Sequence, residues 1–337
     1  MAQITIKDIA KKLNLSPSTI SRALHNHPEL CETTKEKVNA AAEKLDYHPN
    51  ALAQSLKNRK TNTIGVIVPE IMHHFFAAVI SGIEGVAYSA GYVIILCESN
   101  ENYEREVINT RVLVENRIAG LLVSITQATK KSDHFKYLQR VGIPLVFFDR
   151  VCDDITTSKV LVDDYHGGFI ATEHLIKSGY KKIAHLSGPK QLSISRNRCK
   201  GYLDALKRYR ILPRKEYILH GGFHEQDGRE GAHYLLNLKN HPDAIFAVND
   251  PVAVGAYDII NKRGLHIPKD VAVVGFSNNP ISAIIQPPLT TIDQPAFEVG
   301  QHAAKILIEQ IESIDKKKNI LPKIEILETR LIIREST

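Results

Sequence analysis

Along the first fifty residues, apolar positions fall at helical spacing in three short runs. Ile6, Ile9, Ala10 and Leu13 form the first, with Thr5 placed to cap its start. Asn14 closes it, because asparagine tolerates the left-handed backbone that ends a helix sharply. Ser16 and Pro17 then open a second run as N-cap and first helical residue, and Ile20 and Leu24 supply its buried face. The pattern predicts helices over 6–13 and 17–24 joined by a tight turn, with small Ala10 at their crossing and Leu15 beside it. A third helix is predicted over 32–45, burying Val38, Ala41, Ala42 and Leu45. Two short helices in tandem with a tight turn are the pattern of a helix-turn-helix.

The exposed face of the second helix carries Ser18, Ser21 and Arg22, short hydrogen-bonding groups and one guanidinium suited to base edges and phosphates. A small helical bundle with no DNA role would share the apolar pattern but has no need of that face. Beyond Pro49, residues 50–57 have the length of a two-turn helix, too short to persist alone in water. Leu52 and Leu56 share one side of it without a local core. That leaves two readings: a linker helix docked on the rest of the chain, or a hinge that orders on DNA with Leu56 wedged between base steps in the minor groove.

From Thr63 onward the period changes. Nearly continuous apolar runs at 64–68, 93–97, 120–124, 144–148, 160–162, 183–186, 218–220, 244–247 and 271–276 read as strands. Amphipathic stretches such as 76–90, 103–117, 165–178, 225–238 and 250–263 lie between them. Strands apolar on both faces and alternating with helices predict parallel sheets covered on both sides. Nine or ten such strands exceed one comfortable lobe, so two lobes with a cleft between them are expected. No internal sequence repeat accompanies that duplication.

Composition sharpens the division of labour. The 337-residue chain is 43% hydrophobic with a formal charge of +6. Residues 1–60 hold ten Lys/Arg against six Asp/Glu, whereas the remainder holds 33 against 31. Most of the positive excess therefore sits where a polyanion would be met. Four cysteines, Cys31, Cys97, Cys152 and Cys199, lie far apart without a C-x-x-C pair, so reduced thiols are expected rather than disulfides or a zinc ribbon. No signal-peptide core or membrane-length apolar run is found, and a cytoplasmic protein, nucleoid-associated when on DNA, is expected. Neither phosphate-binding glycine motifs nor a G-x-S-x-G elbow occurs, which weighs against an enzyme. The adjacent His73 and His74 would diverge on a helix, so neither metal nor cofactor is expected.

In open α/β folds ligands sit beyond the carboxyl ends of the strands. Those positions are held by His74 and Phe75, Asp149 and Arg150, Arg196 and Arg198, Phe223, Asn249 and Asp250, Ser277 and Gln294. A carboxylate, amides, guanidinium forks and aromatic rings together suit a hydroxylated or heteroaromatic ligand. Each has a plainer reading as a polar loop residue, and Asp250 as a helix cap.

Ile4-Thr-Ile-Lys-Asp-Ile-Ala10, Leu15-Ser-Pro-Ser-Thr-Ile-Ser-Arg22 and Lys44-Leu-Asp-Tyr-His-Pro-Asn50 resemble the headpiece of the lactose-repressor (LacI/GalR) family of bacterial transcription regulators. Gly65-Val-Ile-Val-Pro69, His185-Leu-Ser-Gly-Pro189, Ala247-Val-Asn-Asp250, Val274-Gly-Phe276 and Pro288-Leu-Thr-Thr-Ile-Asp-Gln-Pro295 resemble landmarks of its core, so the likeness spans the chain. It implies an all-α helix-turn-helix headpiece (1–49), a hinge helix and linker (50–60), and an α/β core (61–337) of the type I periplasmic-binding-protein kind. In that core, lobe 1 takes 61–161 and 293–320, and lobe 2 takes 162–292 and 321–337. The implied protein is a homodimeric repressor on a pseudopalindromic double-stranded operator, its affinity set by a small-molecule effector. Thr5, Pro17, Ser18, Thr19, Ser21, Arg22, Asn50, Ala53 and Leu56 are the implied DNA contacts. Phe75, Asp149, Arg198, Phe223, Asn249, Ser277 and Gln294 are the implied effector contacts. Asn14 replaces a usual turn glycine, Cys31 a serine that often caps the third helix, and Ser277 an aspartate common in sugar-responsive members. The competing class, a transporter's solute-binding protein, would share the core but carry an export signal in place of the headpiece.

The wedge reading of Leu56 has a direct consequence. Leu56→Ala is expected to weaken operator binding and reduce DNA bending while effector affinity stays unchanged. Bending that persists in the variant, measured by circular-permutation mobility, would make Leu56 a packing residue instead.

Overall fold

The computed structural model describes residues 4–24, 26–47, 61–316 and 321–337. These fall into two compact units, divided at Thr61 and Asn62. In the first, α1 (Ile6–Leu13), α2 (Pro17–Leu24) and α3 (Glu32–Lys44) follow the expected boundaries to within a residue. Asn14 takes φ 50° at the end of α1, which turns the chain so that the Leu15 N–H reaches the Ala10 carbonyl at 3.0 Å. Ser16 Oγ accepts the Thr19 N–H at 3.1 Å, so serine caps α2 as its sequence position predicts. Ile9, Ala10, Ile20, Ala23, Val38, Ala41 and Ala42 form a small core at the junction of the three helices. The expected hinge helix, with Asn50, Ala53 and Leu56, lies outside the described residues.

The second unit contains two six-stranded sheets of the same strand order. The first reads β11-β5-β4-β3-β1-β2, from β1 (Thr63–Val68), β2 (Val93–Glu98), β3 (Gly120–Val123), β4 (Leu145–Phe148), β5 (Ser158–Val162) and β11 (Ile324–Leu327). The second reads β12-β10-β9-β8-β6-β7, from β6 (Ile183–Ser187), β7 (Ile218–His220), β8 (Ala244–Ala247), β9 (Ala272–Ser277), β10 (Thr290–Asp293) and β12 (Arg330–Ile332). Every pairing is parallel except β12 on β10. The duplication expected from strand number is therefore one of topology. Central strands β3, β4 and β8 are buried at every residue, as parallel strands covered by helices on both faces must be.

One boundary differs from expectation. The family likeness implies residues 321–337 in lobe 2, yet β11 pairs with β5 in the first sheet, from Ile324 opposite Lys159 to Leu327 opposite Val162. The chain thus crosses between sheets after β5, after β10 and again after β11. An edge strand of four residues with Ile324 and Ile326 exposed carries no burial pattern by which sequence could place it.

The helices on the sheets are α4 (His74–Ser89), α5 (Tyr103–Glu115), α6 (Asp133–Val141), α7 (Asp164–Lys177), α8 (Ser193–Arg208), α9 (Glu225–Leu236), α10 (Asp250–Lys262) and α11 (Ala296–Asp315). Three pairs of them cross backbone to backbone through reciprocal glycines. A Cβ on Gly82 of α4 would lie 2.1 Å from the Phe297 carbonyl oxygen, and one on Gly300 of α11 would lie 2.0 Å from that of Val79. Gly168 of α7 and Gly201 of α8 stand in the same relation, as do Gly228 of α9 and Gly255 of α10, where the closest approach is 1.9 Å. Backbone oxygen cannot swing aside as a side chain can, so these crossings fix the positions of the helix N-termini at the strand ends.

Gly255→Ala is expected to cost about 1–3 kcal/mol, because overpacking outweighs the helix-propensity gain. Gly85→Ala, on the exposed face of α4 with open space around it, is expected to add about 0.5–1 kcal/mol. Urea denaturation of the two variants checks the contrast, and equal effects would show that the crossings can relax.

Candidate functional sites

On the headpiece, Pro17, Ser18 and Arg22 are exposed on α2, while Thr19 and Ser21 are half-buried beside them. Ser16 Oγ lies 2.7 Å from Ser18 Oγ and 2.8 Å from Thr19 Oγ1, a cluster of hydroxyls at the start of the helix. Arg22 meets Glu29 at 3.5 Å, with both side chains more than half exposed. A pair so well solvated is weak and releases its guanidinium at little cost. Thr5 holds the Asp8 carboxylate through its N–H at 2.8 Å and its hydroxyl at 2.6 Å, which fixes the start of α1 and holds the Asp8 carboxyl below its usual range. Cys31 caps α3 without a side-chain bond to the helix backbone. Its Sγ instead meets Thr34 Oγ1 at 3.0 Å and Thr33 Oγ1 at 3.4 Å, which bring the thiol down to about 7.

In the core, a cavity with about 530 Å³ of empty space, part of it open to solvent, lies at the carboxyl ends of both sheets. All seven expected effector residues line it: Phe75, Asp149, Arg198, Phe223, Asn249, Ser277 and Gln294. Asp149 follows β4 and Ser277 ends β9, equivalent strands of the two sheets. Both take positive φ, 58° and 112°, conformations that L-residues adopt at a cost of order 1–3 kcal/mol each. Strain at matching positions turns both side chains into the same space.

Electrostatics decide what that space accepts. Arg198, buried at 3% exposure, gives Nε and Nη2 to Asp164 Oδ1 at 2.7 Å and Nη1 to the Val248 carbonyl at 2.6 Å. Its guanidinium carbon sits 3.7 Å from the centre of the Phe276 ring. Burial pushes the Asp164 carboxyl up to about 6, with Arg198 pulling it back down. Arg150 is held likewise, Nη1 on Glu101 Oε1 at 2.6 Å, and lies 4.6 Å over the Phe223 ring of the opposite lobe. Each guanidinium thus has its own carboxylate, and Asp149 is left over. Among the described residues it accepts only a long 3.3 Å bond from Ser124; it lies 3.8 Å from Arg150 Nε, and its carboxyl is raised by burial. Ser277 donates to Gln294 Oε1 at 2.8 Å, while Gln294 Nε2 and Arg150 Nε are buried without a hydrogen-bond partner among the described residues. Asn249 caps α10, accepting from Val252 N at 3.0 Å and donating to the Phe223 carbonyl at 2.8 Å. Its amide therefore positions the loop bearing Phe223 as well as facing the cavity.

Two strand-end candidates fall away from the cavity. Asp250 is fully buried and ties the β9–β10 connection together, accepting from Asn279 N, Ser282 Oγ and Thr291 Oγ1 at 2.6, 2.8 and 2.6 Å. Arg196 turns outward to the Gln191 carbonyl and to Asp153. His74 and Arg150 do line it, joined by Phe76, Ile194, Pro251 and Asn279, which sequence reasoning did not select. Asp164 was missed too. It lies two residues beyond β5, so strand-end position was the available signal, but its partner Arg198 is reached only through the Gly168–Gly201 crossing.

No helix among the described residues is long and apolar enough to cross a membrane. Residues 5–50 match the family model for "Bacterial regulatory proteins, lacI family", and residues 61–331 that for "Periplasmic binding proteins and sugar binding domain of LacI family". The chain is 35% identical over 317 residues to the HTH-type transcriptional repressor PurR of Vibrio atlanticus, covering 94% of both. It is also 35% identical over 333 residues to the PurR repressor of Photobacterium profundum, covering 98% of both. Among solved structures it resembles the Lac repressor dimer bound to operator and the anti-inducer ONPF, at 25% identity and a TM-score of 0.86 over 100% of this chain and 99% of that one. It also resembles a transcriptional regulator CelR–cellobiose complex, at 25% identity and a TM-score of 0.76 over 99% and 100%. A helix-turn-helix unit joined to a twin-sheet unit, matched by family models along most of its length, places the chain in the LacI family of bacterial regulatory proteins.

Proposed function

We propose that the chain is a homodimeric cytoplasmic repressor, without catalytic activity, whose affinity for a pseudopalindromic operator is set by a small neutral ligand rich in hydroxyl or carbonyl groups. The observation that carries this reading is the charge arrangement of the cavity. Two guanidiniums are already neutralised by Glu101 and Asp164, so a strongly anionic ligand finds no unpaired cation. Asp149 offers an acceptor for ligand hydroxyls, while Arg150 Nε and Gln294 Nε2 offer donors that the protein leaves unused. Phe75 and Phe223 supply apolar walls. Solved relatives with bound cellobiose and ribose support a hydroxylated ligand, and the operator-bound Lac repressor dimer supports the dimer.

DNA reading is assigned to α2, with Arg22 as the fork for a guanine and Pro17, Ser18, Thr19 and Ser21 setting neighbouring contacts; Thr5 meets the backbone. Arg22→Ala is expected to cost about 1–3 kcal/mol on the operator and to relax preference at one base pair per half-site. Selection from random duplexes, followed by binding at several salt concentrations, reads both. An equal loss on specific and random DNA would reduce Arg22 to a phosphate contact.

The cavity carboxylates give a second prediction. Once a thermal-shift screen of hydroxylated metabolites has found the ligand, its affinity is expected to fall as pH drops through about 6. There Asp164 takes up a proton and loosens Arg198; the Asp149 carboxyl, also raised by burial, loses acceptor strength where it is protonated. A carboxyl raised in the folded chain binds its proton more tightly there than when unfolded, so Asp164 by itself adds stability as pH falls below 6. Circular dichroism over the same pH range separates lost binding from acid unfolding. Asp149→Asn and Asp164→Asn should each flatten the profile, and calorimetric titration from pH 5 to pH 8 checks it. An unchanged profile in both variants would remove the two carboxylates from ligand binding.

A further inference from the structure

At the mouth of the cavity a second constellation joins the two lobes. Glu70 lies in the connection between β1 and α4, and His73 is the N-cap of that helix. His224 comes from the other lobe, as the N-cap of α9 directly after Phe223. Glu70 Oε2 lies 2.8 Å from His73 Nε2, and Glu70 Oε1 lies 3.4 Å from His224 Nε2. The three ligand atoms stand within 4.8 Å of one another, and the two imidazole rings stack with centroids 5.3 Å apart. The Glu70 and His73 side chains are only 15% and 17% exposed, whereas His224 is 53% exposed and open to approach from solvent.

We propose that Glu70, His73 and His224 form a binding site for a divalent transition-metal ion of the zinc type, which clasps the two lobes across the cleft. Two imidazole nitrogens and one carboxylate oxygen are the ligand set that Zn²⁺ and its neighbours take, at about 2.0–2.2 Å from the metal, with a fourth position left for water. Ligand atoms around such an ion lie roughly 3–3.5 Å apart by that bond length, and these already stand within 4.8 Å of one another, two pairs of them at 2.8 and 3.4 Å. A hard, oxygen-seeking ion such as Mg²⁺ is not suited by two imidazoles. The expectation of no metal rested on the adjacent pair His73 and His74 alone. The ligands instead converge from three places in the sequence, which local spacing cannot show. Because His224 adjoins Phe223 and His73 itself lines the cavity beside His74 and Phe75, the ion would hold both walls in the arrangement seen here. On the regulatory reading above, on which this part alone rests, metal then changes operator affinity as a ligand of this lobe arrangement.

The site is tested by titrating Co²⁺ into the full-length protein and recording its visible absorption. The protein carries Cys31→Ser, so that the exposed thiol cannot contribute. About one equivalent per chain is expected, with the intensity of low-coordinate cobalt, displaced by Zn²⁺ and not by Mg²⁺. Glu70→Gln and His224→Ala should each weaken uptake by at least about tenfold, as loss of a metal-supporting group does, with circular dichroism checking that both remain folded. No uptake, or uptake unaffected by both substitutions, overturns the site. Operator affinity with and without Zn²⁺ is measured separately on the same proteins. A change in the parent that vanishes in His224→Ala supports the clasp as a regulator. A spectroscopically intact site that leaves operator affinity unmoved overturns that coupling without touching the DNA-binding assignment.

Discussion

The constraint on which the core depends is that the chain passes between its two sheets three times, each time after the carboxyl end of a strand: β5, β10 and β11. Three adjacent crossings make a hinge on the side of the molecule where parallel strands deliver their loops. Cavity-lining residues from both lobes are therefore brought to one place by topology. The first and third crossings are themselves hydrogen-bonded together. Asp163 N donates to the Leu327 carbonyl at 2.9 Å, and Thr329 Oγ1 donates to the Asp163 carbonyl at 3.4 Å.

Within that frame the buried guanidiniums convert lobe position into chemistry. Arg198 is tied to Asp164, to the Val248 carbonyl and to the Phe276 ring, all within the second lobe. Arg150 is tied to Glu101 in the first lobe and reaches the Phe223 ring in the second. One arginine thus organises a wall and the other touches across the gap. Further links at the rim, Gln191 to the Gln127 carbonyl at 3.1 Å and Arg196 to Asp153 at 3.5 Å, are exposed and individually weak. A lobe arrangement held by contacts of this kind is one that a ligand of modest differential affinity can favour or release.

Most of the fold was legible because its signals are local. Helix caps at Ser16 and Asn14, apolar strands of four to six residues and the polar strand ends each depend on a few neighbours in sequence, and the seven cavity residues follow from strand-end position joined to family resemblance. What escaped depends on pairing across distance. β11 could not be assigned to a sheet because half its residues are exposed. Asp164 could not be paired with Arg198 without the glycine crossing that sets α7 against α8. Asp250 read as a cleft residue or a cap, and is a buried tie because Ser282 and Thr291 come to it from later elements. The Glu70–His73–His224 cluster was invisible for the same reason.

The central claim is that one equilibrium between lobe arrangements is shared by the cavity and the DNA-binding headpiece. Its most direct test is calorimetric titration of the cavity ligand into the protein alone and into the protein saturated with operator duplex. Linkage requires the two affinities to differ by the same factor by which the ligand changes operator affinity, about 5- to 150-fold for a typical coupling. Identical ligand affinities with and without operator would contradict the account.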